Sequence, residues 1–133
     1  MITALDSSVL WAIINEEPGF EAWLQSLLQA ASEGPLIISP IAFAELAPSA
    51  PDASSLTHLL AKLAISYSPI NEVASHLAGL SFKRYRNAGG PRQHLIPDFM
   101  IAAHAQTQAN RLAAIDRGYL RVWFPELKLL TSA

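Results

Sequence analysis

The chain of 133 residues contains no cysteine, which excludes disulfides, thiol catalysis and thiolate metal sites. Charged residues make up only 15% against 51% hydrophobic residues, yet no apolar run approaches the roughly 18–20 residues that span a bilayer. The first residues lack the basic region of a signal peptide, and Asp6 interrupts the first apolar run. These absences favour one cytoplasmic domain over residues 1–133 without membrane contact. The apolar excess predicts a face covered by another chain.

Basic residues are missing from the first half of the chain. Residues 1–61 contain seven carboxylates and no Lys or Arg, whereas residues 62–133 contain nine Lys or Arg and four carboxylates. Because both halves would share one core, this asymmetry predicts an acidic face and a basic face, and the basic face could attract phosphates. The candidates for this basic rim are Lys83, Arg84, Arg86, Arg92 and Arg117.

Short apolar runs of strand length alternate with longer segments of helical periodicity. Strands are predicted at 2–5, 36–39, 65–67, 112–115 and 128–130. Helices are predicted at 8–15, 20–31, 40–47, 52–63, 71–85 and 99–109, with a loop over 87–97. This alternation is typical of a parallel sheet with helices on both faces. We therefore predict an α/β fold, a three-layer α/β/α sandwich with a mostly parallel central sheet.

Four of the eleven carboxylates stand beside or inside apolar runs: Asp6, Glu45, Asp98 and Asp116. A carboxylate in apolar surroundings is costly unless a partner compensates it, and Mg²⁺ or Mn²⁺ prefer carboxylate oxygens. Since Asp6 and Asp116 each end a predicted strand, and such ends carry the sites of open α/β sheets, we expect the four to converge at one edge. Such a metal site suits phosphodiester hydrolysis.

Each of these residues also has a purely structural interpretation. Asp6 could cap the first helix, Asp98 could interact with the dipole of its helix, and Asp116 could be a turn residue. Glu45 is hardest to explain in this way, because a charge between apolar neighbours contributes nothing to packing. The four histidines show no ligand spacing, and His104 is expected to be a core or interface residue.

An apolar stripe on the predicted second helix has two interpretations. Phe20, Trp23 and Leu27 share one helical face. The excess of apolar residues favours a groove for a partner's segment, formed by this face together with neighbouring helices, since amphipathic helices commonly dock this way. A place in the core is the alternative.

Four segments in this order resemble the PIN-domain ribonucleases, in particular the VapC-type toxins of toxin–antitoxin pairs. They are LDSSVL (5–10), SPIAFAEL (39–46), IPDFMIAAHA (96–105) and AIDRGYL (114–120). The resemblance implies a parallel-sheet sandwich, Mg²⁺ or Mn²⁺ dependence and endonucleolytic cleavage of RNA. It also implies a homodimer and neutralisation by a cognate antitoxin whose tail lies across the site.

By position, Asp6, Glu45, Asp98 and Asp116 match the acidic residues of this family, so the resemblance makes them its catalytic and metal-binding set. Ser7 or Ser8 matches its small polar residue after the first Asp. The chain departs from the pattern at Ala114, where relatives commonly carry Thr. A hydroxyl that could position water or metal beside Asp116 is therefore missing.

Two other functions remain open at this point. A non-catalytic PIN-like module could keep the carboxylates only to bind a partner's Arg. A DNA-directed nuclease of the same fold is also possible, because none of these residues reads a 2′-OH. A phospho-accepting receiver domain is disfavoured, since residues 65–68 provide no Asp after the third strand.

Overall fold

The computed structural model describes residues 1–91, 95–115 and 120–132. Its sheet consists of β1 (Thr3–Leu5), β2 (Leu36–Ile38), β3 (Ile65–Tyr67), β4 (Arg111–Ala113) and β5 (Leu129–Leu130). All neighbouring strands are parallel, in the order β3-β2-β1-β4-β5. The predicted three-layer α/β/α sandwich is confirmed. Within the described ranges, no helix combines the length and apolar character needed to cross a membrane.

The helices are α1 (Ser7–Ile14), α2 (Phe20–Glu33), α3 (Pro40–Glu45), α4 (Ala53–Lys62), α5 (Glu72–Asn87), α6 (Leu95–Gln108) and α7 (Leu120–Trp123). A short 3₁₀ turn, Ala47–Ser49, follows α3. Four helices begin after a polar side chain that accepts a backbone hydrogen bond: Asp6, Ser39, Asp52 and Asn71. Such caps satisfy amides that have no partner within the helix. At α4, the hydrogen bond from Ser55 N–H holds the pKa of Asp52 below its ordinary value.

The start of α6 differs from the sequence prediction. The helix begins at Leu95, four residues before the predicted start, and includes Pro97, which the prediction places in a loop. A proline fits the first turn, because its missing N–H would have no acceptor within the helix there. The prediction also places β4 slightly too late and omits α7, which has only four residues and so shows no helical period.

The middle of the helix α6 is deeply buried in the core. Five consecutive residues, Ile101 to Ala105, are at most 2% exposed, as is Phe99. His104 is among them, with its Nε2 3.0 Å from the hydroxyl oxygen of Ser68. Burial lowers the pKa of His104, against the opposing effect of a hydrogen bond with the Ser68 backbone. His104 is thus a core residue, one of the two positions that the sequence analysis expects for it.

An aromatic cluster fastens the first turns of α6 to its neighbours. The ring of Phe99 makes edge-to-face contacts with Phe82, Tyr85 and Phe124, at centroid distances of 5.8, 5.6 and 5.3 Å. Tyr85 also contacts Trp123 on α7, at 5.5 Å. Because Phe99 follows Asp98 directly, this cluster fixes the backbone that carries the third predicted site residue.

The stripe on α2 belongs to the core. Trp23 is 6% exposed and Leu27 3%, while Phe20 is half-buried. The expectation that Trp23 and Leu27 line a partner groove is wrong, because both are buried within the chain. The sequence could not separate the two cases, since a core stripe and a docking stripe have the same apolar period.

Candidate active site

The central strand β1 ends at the point where the strand order reverses. From β1 the chain proceeds to β2 on one side, and it returns later to β4 on the other. In open α/β sheets, ligands bind at the carboxyl ends of the strands beside such a switch point. Asp6 follows β1 directly, and its N–H donates to the Ala113 carbonyl at the end of β4, at 2.9 Å. Asp6 therefore lies at the edge where this fold places its sites.

The Asp6 side chain is held by the first turn of α1. The residue is 1% exposed, and its Oδ2 accepts hydrogen bonds from both the N–H, at 3.3 Å, and the hydroxyl of Ser8. The Ser8 hydroxyl oxygen in turn accepts from Ile115 N–H, at 3.1 Å. The capping interpretation of Asp6 is confirmed. The same contacts fix a buried carboxylate at the sheet edge, which the cap alone does not require.

Glu45 is brought beside the first residues of α1. It is the last residue of α3 and is exposed, and its Oε1 accepts a hydrogen bond from the hydroxyl of Ser7, at 2.8 Å. Its carbonyl oxygen accepts from the Trp11 indole N–H, at 3.3 Å. The hydrogen bond from Ser7 thus places Glu45 beside the residue that follows Asp6 in the chain.

Asp98 lies in the first turn of α6 and is half-buried. The helix α6 contacts both β1 and α3, the elements that precede Asp6 and carry Glu45. Asp116, the fourth predicted residue, falls outside the described residues. Over 1–91, 95–115 and 120–132, no three acidic or histidine side chains form a group that could hold a metal ion. The four-carboxylate metal site remains a prediction.

Two of the predicted basic-rim residues have structural contacts. Arg84 donates to the Trp123 carbonyl oxygen at 2.8 Å, and Arg86 donates to the Gly90 carbonyl oxygen at 2.6 Å. The first of these hydrogen bonds joins α5 to α7, and the second closes the turn after α5. Lys83 on the same helix is exposed. Arg92 and Arg117 lie outside the described residues.

An apolar groove lies beside α1 and α4, and none of its lining residues belongs to the predicted stripe on α2. Its volume is about 310 Å³, and its lining is Leu10, Ile13, Ile14, Leu46, Leu56, Leu59, Leu60, Lys62 and Leu63. Ile14 remains 40% exposed. The leucines at positions 56, 59, 60 and 63 give α4 a wider apolar face than packing against the core alone needs. This wide face is the feature of the sequence that could have indicated the groove. Leu46, which lines this groove, directly follows Glu45.

Solved structures with a similar fold include VapBC2 from Rickettsia felis bound to a promoter DNA fragment. That chain is 19% identical with a TM-score of 0.75, and the match covers 100% of both chains. A toxin–antitoxin complex from Klebsiella pneumoniae is 17% identical with a TM-score of 0.66, covering 98% of each chain. The sarcin–ricin loop cleaving toxin VapC20 of Mycobacterium tuberculosis is 14% identical with a TM-score of 0.63, covering 95% of this chain and 98% of that one. At these identities the likeness shows the fold.

Comparison with curated protein sequences gives no match. The family model of the PIN domain, in contrast, matches residues 3–124. This match extends from the start of β1 to Phe124, directly after α7, and includes Asp6, Glu45 and Asp98. The chain belongs to the PIN-domain family.

Proposed function

We propose that the chain is a metal-dependent RNA endonuclease, the toxin of a cytoplasmic toxin–antitoxin pair. The observation that carries this proposal is the buried Asp6 carboxylate at the switch point of the sheet. Its neighbours Ser7 and Ser8 connect it to Glu45 and to the end of β4. PIN domains form a nuclease family, which supports hydrolysis of a phosphodiester. The resemblance to VapC-type toxins supports RNA as the substrate.

Asp6, Glu45, Asp98 and Asp116 would together hold Mg²⁺ or Mn²⁺. The donors described around Asp6 are carboxylate and hydroxyl oxygens, which are the ligands that such hard ions prefer. A bound ion supplies an activated water and stabilises the leaving oxygen. Ser8 holds the Asp6 carboxylate in one orientation, and Ser7 holds that of Glu45. Glu45 is exposed, so its carboxylate is accessible to a substrate entering from solvent.

A matched pair of oligonucleotides tests the reaction. A single-stranded RNA and a DNA of the same sequence, labelled at both ends, are incubated with the protein and Mn²⁺. We expect internal cleavage of the RNA and an intact DNA. Cleavage of the DNA alone would favour the DNA-directed nuclease, and two intact strands would favour the non-catalytic module.

The groove beside α1 and α4 is the proposed docking site for the antitoxin. Its lining is apolar except for Lys62, so an amphipathic helix that presents leucine-like side chains and one carboxylate fits it best. Structures of this fold are known as toxin–antitoxin complexes, which supports a protein partner of this kind. The groove reaches Leu46, the neighbour of Glu45, so its occupant would lie close to the site. The homodimer that the resemblance implies is also part of this proposal.

Ile14→Glu is expected to weaken antitoxin binding by at least about 100-fold while preserving RNA cleavage. A carboxylate at position 14 would lose its hydration when the apolar side chains of the partner cover the groove, and it would compete with the partner's carboxylate for Lys62. About 3 kcal/mol corresponds to this factor. Ile14 is 40% exposed, so the variant should fold. Titration of the labelled toxin with the candidate antitoxin of the neighbouring reading frame measures the affinity.

The matched control is Val73→Glu, which introduces the same charge at an apolar position that is 68% exposed on α5, outside the groove. It should bind like the parent. Equal affinities of the two variants would remove the groove from the antitoxin interface.

A further inference from the structure

The hydroxyl of Ser8 bridges two segments that are 107 residues apart in the chain. It donates its proton to Asp6 Oδ2, and its oxygen accepts the Ile115 N–H at 3.1 Å. One hydroxyl thus satisfies a carboxylate on one side and a backbone amide on the other. Ile115 stands two residues beyond β4 and directly before Asp116 in the sequence.

This bridge is more than helix capping requires. The caps Asp52 and Asn71 each accept a backbone N–H three residues ahead, at 2.7 and 2.9 Å, and Asp52 also interacts with the Ser55 hydroxyl of its own helix. At α1, Asp6 already caps the helix by accepting the Ser8 N–H. The Ser8 hydroxyl, which donates to Asp6 and accepts from Ile115 N–H, is therefore an additional connection to a residue outside the helix. It connects the carboxyl end of β1 to that of β4, the two strands on either side of the crevice where Asp6 lies.

We propose that Ser8 is a positioning residue that fixes the Asp6 carboxylate relative to the carboxyl end of β4. Its effect on cleavage rests on the proposed nuclease function. Its effect on the metal-free protein does not. Residues that orient a metal ligand commonly change metal affinity or activity by about 10–100-fold when they are replaced, which sets the expected size of the effect.

The metal-free protein tests the bridge itself. Amide hydrogen exchange by NMR should show Ile115 N–H exchanging about tenfold faster in Ser8→Ala than in the parent, because its acceptor is lost. Ser8→Thr keeps a hydroxyl and should restore protection. Ser8→Cys keeps the size with a weaker hydrogen-bonding group, so it should show faster exchange even if Ser8→Ala does not fold. An Ile115 amide that exchanges at the parent rate in both variants would overturn the proposal.

Mn²⁺ affinity by calorimetry and RNA cleavage rates test the consequence. Both should fall about 10–100-fold in Ser8→Ala and recover in Ser8→Thr. Asn71→Ala is the structural control. It removes the cap of α5, and Asn71 N–H bonds to Gln108 at the opposite end of α6 from Asp98. This variant should melt lower than the parent and keep both Mn²⁺ affinity and cleavage.

The two proposals fail in different ways. If the parent neither binds Mn²⁺ nor cleaves RNA, but Ile115 exchange depends on Ser8, the nuclease function is wrong and the positioning by Ser8 stands. If the parent binds Mn²⁺ and cleaves RNA, and Ser8→Ala does both equally well, the nuclease function stands and Ser8 is only a helix residue.

Discussion

Asp6→Asn is expected to lower RNA cleavage by at least about 100-fold. Replacing a residue that only orients a metal ligand commonly costs about 10–100-fold, and replacing a ligand should cost at least the upper end of that range. A neutral amide is a poor ligand for a hard cation. The fold should persist, because Asn caps helices about as well as Asp and its side-chain oxygen can still accept the Ser8 hydrogen bonds. Initial cleavage rates at saturating Mn²⁺, together with thermal melts, measure both effects.

Asp52→Asn is the matched control for this variant. Asp52 caps α4 as Asp6 caps α1, but it is exposed and lies outside the proposed site. Its replacement should leave cleavage at the parent rate. If Asp6→Asn cleaves as fast as Asp52→Asn, Asp6 is only a cap, and the assignment of the site to this edge of the sheet is wrong.

Phe99→Ala is expected to lower the free energy of unfolding by about 3–5 kcal/mol, the usual cost of emptying a large aromatic site in a core. Phe99 is 0% exposed and contacts three other rings, on α5 and after α7. Denaturant unfolding measures this loss. Because Asp98 precedes Phe99, we also expect slower RNA cleavage well below the melting temperature.

Phe20→Ala provides the comparison for a half-buried ring, on α2 and outside the described aromatic contacts. Its cost should be clearly smaller, since less apolar surface returns to water. Equal losses of stability in the two variants would show that the cluster around Phe99 does not hold α6 in place.

The sequence predicts the sheet because its strands are short apolar runs separated by periodic helices. The same rules fail where two signals compete. Pro97 by itself predicts a loop, although the first turn of α6 accommodates it without loss of a hydrogen bond. Trp23 fits both a core position and a docking surface, because burial in the chain and burial by a partner select the same residues, and the apolar excess favoured the wrong interpretation.

For the site, the sequence singles out Asp6 and Glu45, and the structure places their segments together. The contacts that join them could not be predicted. The bonds from Ser7 to Glu45 and from Ser8 to Ile115 span 38 and 107 residues, so no local spacing reports them. Asp98 can be assigned to its helix from the sequence, whereas the convergence of all four carboxylates remains a prediction.

The most direct test of the account is a metal titration of the parent protein stripped of metal by a chelator, with an RNA labelled at both ends. We predict no cleavage before metal is added, internal cuts that increase with Mn²⁺ up to saturation, and a return to intact RNA when excess chelator is present from the start. RNA cleavage at an unchanged rate in chelator would contradict the metal-dependent site at Asp6, Glu45, Asp98 and Asp116.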